Sequence, residues 1–595
     1  MNKVRRVVNN TIISLFGQLV TWTSTLLLTI AYGRFLGDVK FGELYFAITF
    51  VSLVGIPVEQ GFNQQLTRDV AGDTDKAQGY LWNTVVIKAM LWVLLYAGIL
   101  LLAWLLGYSP EQRSIVAICG ITLLSSSIVN TFAALHYAHE RTLYPAIGMV
   151  LEKGLSASIG FILLRNGASL QTMAFVLLGG SLIDGIWVGF WFFRLAGWHV
   201  SISRTLARKL LHGSIPFAIY GILGVIYYRI DTVILSLMTS AAVVGWYGAG
   251  YRLFDTLFFL PGIIVNTVMY PVFTKLSSTS PAAMKVAVEK CMNLLLITSF
   301  PIATLFVLAA PNIVDFLYHK ADFVNTIPVI QGLAPGLIFI YINALFFVLI
   351  VTTRGEKKIP IMAGAALVFN LGLNLYMIPH YQQVGAAIVT SLTELLLLCI
   401  SFVYVPKYLL PKGSIKVAAK VLGASIFMGL AAFILRGFSI FVIGPVTLVV
   451  YVFAAILLRT IPREDVLTLI RAFKSRGKGG SNEILDNLVD ENVYTQVTQR
   501  LPAISMMTTQ HLPAVQASIS QPAGLVCDAS AIGDDATIRL PVVQATQIRF
   551  TKVDPGEENK IDDDTTIHLP AIMTKRDRRK AEVDKGQVER EEVAE

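Results

Sequence analysis

The chain has 595 residues, of which 54% are hydrophobic and only 15% charged, with a mean hydropathy of +0.63. That apolar content exceeds what a soluble protein of this length can bury, so soluble classes are excluded and the chain reads as a polytopic membrane protein. The formal charge of +9 is unevenly spread: residues 475–595 hold 14 Lys/Arg and 20 Asp/Glu, a net of −6, which leaves +15 on residues 1–474. The basic excess lies in short loops between apolar runs, where it orients spans in a membrane, so no nucleic-acid partner is expected.

A spanning helix needs about 20 predominantly apolar residues. Fourteen segments meet that need, at about 11–33, 41–62, 80–106, 112–136, 144–164, 170–193, 212–237, 243–271, 291–310, 327–351, 360–378, 384–404, 415–435 and 439–458. The first is too long for a signal-peptide core and lacks a small-x-small cleavage site, so it reads as a retained span. With the N-terminus inside, the inner loops collect 18 Lys/Arg and the outer loops 5, which places both termini in the cytoplasm. The expected fold class is therefore an all-α polytopic membrane protein with 14 transmembrane helices.

Two stretches recur. RFLGDVKFGELYFAITF, at the end of the first span and start of the second, matches LMTSAAVVGWYGAGYRL between the seventh and eighth, aligning Phe41-Gly42 with Val244-Gly245. RTLYPAIGMV at 141–150 matches GEKKIPIMAG at 355–364, aligning Pro145 with Pro360. Offsets of 203 and 215 residues suggest two six-helix halves with two appended spans. The expected organisation is a bundle at 1–193, a basic amphipathic cytoplasmic linker at 194–211 with Arg204, Arg208 and Lys209, a second bundle at 212–404, spans 13–14 and flanks at 405–474, and a cytoplasmic tail at 475–595. A plain solvated linker is the alternative reading of 194–211.

Charge inside spans is costly, about 2.5–3.5 kcal/mol per ionised group on insertion scales, so it marks an interior or wet face. The seventh span carries Arg229 and Asp231, and the eighth Arg252 and Asp255. Tyr220, Gly224, Tyr227 and Asp231 share one helical face, as do Tyr247, Tyr251 and Asp255. These faces are expected to line a polar cavity for a charged, hydroxyl-rich substrate, with a structural Arg–Asp clamp as the alternative. Further polar positions outline the cavity or act as packing glue: Gln18, Thr21 and Thr25, Glu59, Lys88, Glu152 and Lys153, Asp184, the Asn370/Asn374 pair, and Thr390 with Glu394. Asn370 and Asn374 are expected to pack; Lys88 and Glu59 either line the cavity or pair with each other.

The tail is polar, without sustained periodicity, and reads as disordered. It repeats Thr-x-Arg/His-Leu-Pro four times: TQRLPAI, TQHLPAV, TIRLPVV and TIHLPAI, beginning at Thr498, Thr509, Thr537 and Thr566. A phosphorylated threonine with an apolar residue three positions on resembles the ligands of forkhead-associated domains, so these threonines are candidate phosphorylation and docking sites. The cysteines Cys119, Cys291, Cys399 and Cys527 form no CxxC pair, so neither a disulfide framework nor a metal site is expected. No GxxxxGK[ST] loop is present and the outer loops are short, so no enzyme is expected.

Three stretches, at 33–71 (GRFLGDVKFGELYFAITF onward), 227–255 (YYRIDTVILSLMTSAAVVGWYGAGYRLFD) and 356–394 (EKKIPIMAGAALVFNLGLNLYMIPHYQQVGAAIVTSLTE), together resemble the polysaccharide transporter, O-antigen flippase-like family of the multidrug/oligosaccharidyl-lipid/polysaccharide exporter superfamily. The resemblance spans the first twelve segments and fits the last two. It implies two six-helix bundles around a central cavity, and a flippase for undecaprenyl-diphosphate-linked oligosaccharide in a bacterial cytoplasmic membrane. Matching positions are Arg34, Arg68, Arg229, Asp231, Tyr251 and Arg252. On this reading Arg229 and Arg252 bind the diphosphate, with Tyr251, Tyr227, Tyr247, Gln18, Lys88 and Arg34 as further substrate contacts. Asp231, Asp255, Glu59 and Glu394 are candidates for coupling to Na+ or H+, with no other cofactor expected. The expected partners are the lipid-linked oligosaccharide, membrane lipids and a phosphothreonine-binding protein at the tail. A cation-coupled multidrug exporter, a lipid II flippase and a transport-inactive membrane scaffold are the alternatives.

Overall fold

The structure, a computed structural model, describes residues 3–59, 61–318 and 321–460. Thr498, Thr509, Thr537 and Thr566, with their repeats, lie outside the described residues. The described chain is helical, with no strand among its residues. The first half comprises α1 (Lys3–Val54), α2 (Ile56–Glu59), α3 (Phe62–Ala71), α4 (Ala77–Leu105), α5 (Pro110–Ala138), α6 (Leu143–Arg165) and α7 (Leu170–Ala196). Then follow α8 (Arg204–Met238), α9 (Ala241–Leu257), the short α10 (Phe259–Pro261), a π-helical stretch Gly262–Met269, α11 (Tyr270–Thr279), α12 (Pro281–Leu308) and α13 (Ala310–Tyr318). The last are α14 (Ile327–Thr352), α15 (Ile359–Tyr404), α16 (Ser414–Ile434) and α17 (Ile440–Leu457).

Eleven helical stretches among the described residues are long and apolar enough to cross a membrane, rather than the fourteen expected. Two of them, Phe16–Val54 and Ile359–Tyr404, each run through two expected spans. Both are broken inside. Gly37 takes φ 78°, ψ 176° within α1, a conformation that glycine adopts without the Cβ clash other residues meet. Gln382 takes φ 47°, ψ −128° within α15, three residues after Pro379. The second expected span is interrupted once more, between α2 and α3, where Gly61 stands at φ 93°. α8 covers the seventh expected span without being among the eleven.

The linker is helical only from Arg204. α7 stops at Ala196, Gly197 turns the chain at φ 74°, and residues 198–203 carry no regular structure. Asn83 pins this segment, donating to the Ser201 carbonyl (3.0 Å) and accepting from the Ser203 N–H (3.0 Å). The amphipathic helix expected over 194–211 is thus confined to the start of α8.

The packing places α8 and α9 at the centre. α9 lies along α1, α8 along α15, and α14 against α15, α12 and α9. α14 is the most buried of the spans. α1, α3 and α4 also reach α8, so it packs against helices from the first 193 residues as well as α15. α16 packs on α12 and α17, away from this centre.

Candidate functional site

Arg229 and Asp231 stand two residues apart on α8 and therefore point to different sides. Each finds its own partner on α9. Arg229 Nη2 lies 3.2 Å from Asp255 Oδ2, with both side chains 10% exposed. Its Nη1 is 3.5 Å from the Tyr45 hydroxyl of α1, and its guanidinium sits 5.6 Å from the Tyr251 ring centroid. Asp231 accepts from the Thr232 N–H at 2.6 Å, and from the Tyr247 hydroxyl, which lies 3.3 Å from Thr390 Oγ1 on α15. Tyr251 donates to the Tyr228 carbonyl at 3.3 Å. Tyr227 is buried on the same stretch of α8 and its ring packs on Tyr228.

This network is charged and incompletely satisfied. Among the described residues, Arg252 Nε and Asp255 Oδ1 are buried and have no hydrogen-bond partner. A buried donor on a guanidinium and a buried carboxylate oxygen, each left open, are expensive in a packed interior. They are what a site awaiting an ionic, hydrogen-bonding ligand or water would present. Among the described residues no group of three or more His, Cys, Asp or Glu could hold a metal ion.

Two close contacts flank the network. At one end the recurrent motifs meet each other. A Cβ added to Gly42 would stand 1.9 Å from the Ala241 carbonyl oxygen, and one added to Gly245 would stand 2.2 Å from that of Asp38. An offset of 203 carries Gly42 to Gly245 and Asp38 to Ala241. The contact is therefore reciprocal, as at a two-fold interface. Trp246 Nε1 reinforces it by donating to Asp38 Oδ2 at 3.0 Å. At the other end a Cβ on Gly61 would stand 2.4 Å from the Ser214 carbonyl oxygen, and Gln65 Nε2 donates to the Lys209 carbonyl at 3.3 Å. Lys209 Nζ there donates to the Tyr80 hydroxyl at 3.0 Å and lies 3.5 Å from Asp69 Oδ2. The Tyr80 bond, with Asp69 adding to it, holds the Lys209 ammonium above its ordinary range, so this latch stays charged at neutral pH. At 1.5 Å per residue Arg229 stands roughly 22 Å along α8 from Ser214. The charged network thus lies between two closed ends.

The other expected positions fall elsewhere. Lys88 is fully buried and donates to Asn63 Oδ1 (3.0 Å) and the Ser127 carbonyl (3.1 Å). Glu59 accepts from Asn130 Nδ2 at 3.1 Å. Lys88 and Glu59 sit near each other within the first bundle, each hydrogen-bonded to other groups. Glu394 accepts from Asn343 Nδ2 at 2.9 Å, again fully buried. Asn374 donates to Asn370 (2.9 Å) and Asn370 to Thr393 (3.2 Å), a packing ladder between the two arms of α15. Gln18 is buried with its Oε1 unpartnered among the described residues. Arg34 donates from Nε to the Leu317 carbonyl at 2.5 Å, and from Nη2 to that of Phe316. It caps the C-terminal end of α13. Sequence reasoning passed over Tyr45 and Asp38; the signal was present, since both flank Gly42 within the recurrent motif.

The family described as polysaccharide biosynthesis protein matches residues 7–277. The probable flippase AglR of Haloferax volcanii is 23% identical over 403 residues, covering 64% of this chain and 79% of that protein. Among solved structures, the lipid II flippase MurJ in an inward closed conformation superposes with a TM-score of 0.62 at 15% identity, over 77% of this chain and all of that one. An inward-facing multidrug resistance MATE transporter of the MOP superfamily gives 0.52 at 14% identity, over 66% of this chain and 96% of that one. These two share the fold. This chain is thus similar to the polysaccharide biosynthesis family over residues 7–277 and to a probable flippase, and it shares its fold with MurJ over 77% of its length.

Proposed function

We propose that this protein is a flippase that moves an undecaprenyl-diphosphate-linked oligosaccharide across a bacterial cytoplasmic membrane, without catalysing a reaction, both termini lying in the cytoplasm. The observation that carries the reading is the buried Arg229–Asp255 pair beside the unpartnered Arg252 Nε, held between two close helix contacts of which the one at Gly42 and Gly245 is reciprocal. A diphosphate wants guanidinium groups, and sugars want tyrosine faces and amides. When the Gly61 end parts, Arg229 and Arg252 take the diphosphate, with Tyr227, Tyr247 and Tyr251 beside it. The substrate replaces Asp255 as the partner of Arg229. Release of Asp255, and the neighbouring Asp231, gives Na+ or H+ a carboxylate to occupy, which couples the ion to the exchange. Glu59 and Glu394 are further positions for that ion. The bundles at 1–193 and 212–404 turn about the 194–211 linker, and spans 13–14 ride outside. The paired arginines favour an anionic substrate over the cationic drugs of a multidrug exporter.

The test is flipping in proteoliposomes of labelled lipid-linked oligosaccharide in two forms. The diphosphate-linked form is expected to move at least 10-fold faster than the monophosphate-linked form, the equivalent of about 1.4 kcal/mol for the lost charge-assisted bonds. Equal rates would remove the diphosphate from the recognition. In the tail, phosphorylated Thr498, Thr509, Thr537 and Thr566 are the docking points for a forkhead-associated partner. Phosphopeptide mapping that finds all four unmodified in growing cells would discard that idea.

A further inference from the structure

Asp184 plays no part in the site described above, yet it is the least compensated carboxylate of the first bundle. It lies on α7, 14 residues after Leu170 and 12 before Ala196, so near the middle of a spanning helix. It is 1% exposed. Among the described residues its Oδ1 has no hydrogen-bond partner, and no cation stands within ion-pair distance of either oxygen. The oxygen points into a notch in α6: a Cβ added to Gly148 would stand 2.0 Å from it. α6 and α7 are close-packed on both sides of this notch, since a Cβ on Gly180 would meet Ser156 Oγ at 2.1 Å.

The charged and titratable groups facing Asp184 do not neutralise it. α6 supplies Glu152 and Lys153, which pair with each other at 2.6 Å. α5 supplies the buried Tyr137. An ionised carboxylate with no cation in ion-pair reach, an unpartnered Oδ1 and only 1% of its surface exposed is costly at the middle of a spanning helix, whereas the neutral acid fits an apolar notch.

We propose that Asp184 is a proton-binding site of the first bundle, neutral in this conformation, which yields its proton to water when α6 and α7 separate and regains it when they close. The carboxylic acid becomes carboxylate plus H+, with no other group consumed. This deepens the transport reading by naming H+ as the ion that the first bundle handles, and it rests on that reading only for its consequence.

Infrared difference spectroscopy on the purified full-length protein tests the proton directly. At neutral pH the spectrum of wild type minus Asp184→Asn is expected to show the C=O stretch of a protonated carboxylic acid, and Asp184→Glu should retain such a band. No lost band would mean an ionised Asp184 and overturn the proposal. In proteoliposomes an inward or outward pH gradient is expected to speed wild-type flipping several-fold and leave Asp184→Asn unstimulated, with its gradient-independent rate intact. A full response to the gradient in Asp184→Asn would overturn the coupling. Absence of any wild-type flipping would instead count against the flippase reading, while the infrared band would still report on Asp184. Replacement of the proton effect by a sodium-dependent one at the same residue would also overturn it.

Discussion

Arg229→Ala is expected to lower stability by roughly 3–5 kcal/mol, because it strands Asp255 as a buried, unpaired charge. The pair is close to sealed, at 10% exposure on each side, so water cannot take over the lost contact. The loss should fall at the low end of that range, since Arg252 sits one turn before Asp255 on α9 and can swing toward it. Asp255→Ala should cost a similar amount by stranding Arg229. Replacing both with apolar residues of similar volume, Arg229→Met with Asp255→Leu, should bring thermal unfolding in detergent back near wild type. A double variant as unstable as either single one would mean that the pair does more than neutralise itself. The three variants separate holding the fold from handling a substrate, because the double variant keeps the first and removes the second.

Gly42→Ala is the second large effect. The added methyl would stand 1.9 Å from the Ala241 carbonyl oxygen and 2.8 Å from the Gly245 amide nitrogen, and both neighbours are backbone. No rotamer can relieve that overlap, so the helices must separate at this end. Overpacking of this kind typically costs about 1–3 kcal/mol, which is roughly a 5- to 150-fold shift away from the conformation closed here. A cysteine placed at Val244, 1% exposed beside the contact, reports the shift in a background lacking Cys119, Cys291, Cys399 and Cys527. With Gly42→Ala its labelling by a membrane-impermeant maleimide should rise by that factor. The reciprocal Gly245→Ala should do the same, because its methyl meets Asp38 as that of Gly42 meets Ala241. Unchanged labelling in both would mean that this contact does not gate access.

Much of this was legible in the residues. Charge two residues apart in an apolar span, Arg229 and Asp231, demanded partners, and those partners came from the next charged helix. The recurrence of Phe41-Gly42 as Val244-Gly245 marked the two strips of backbone that later touch. What sequence left hidden depends on long-range packing. Arg34 looked like a cavity residue because arginine suits phosphate; in the fold it reaches the carbonyl ends of α13, a partner 283 residues away that no local pattern announces. Lys88 reads from the sequence as lining the cavity or pairing with Glu59, yet its hydrogen bonds go to Asn63 and the Ser127 carbonyl within its own bundle. The span count diverged for a related reason. Apolarity shows where a helix can cross, and the non-helical residues Gly37 and Gln382 each join two helices end to end with no intervening loop, so two expected pairs run on as single long stretches.

Flipping of labelled diphosphate-linked oligosaccharide by Arg229→Met/Asp255→Leu beside wild type bears most directly on the proposed role of the charged network. A folded double variant with thermal stability near wild type should flip roughly 10- to 100-fold more slowly, the loss of one or two charge-assisted contacts to the diphosphate. Wild-type rates from that same folded variant would contradict the account, because the charges at its centre would then be structural alone.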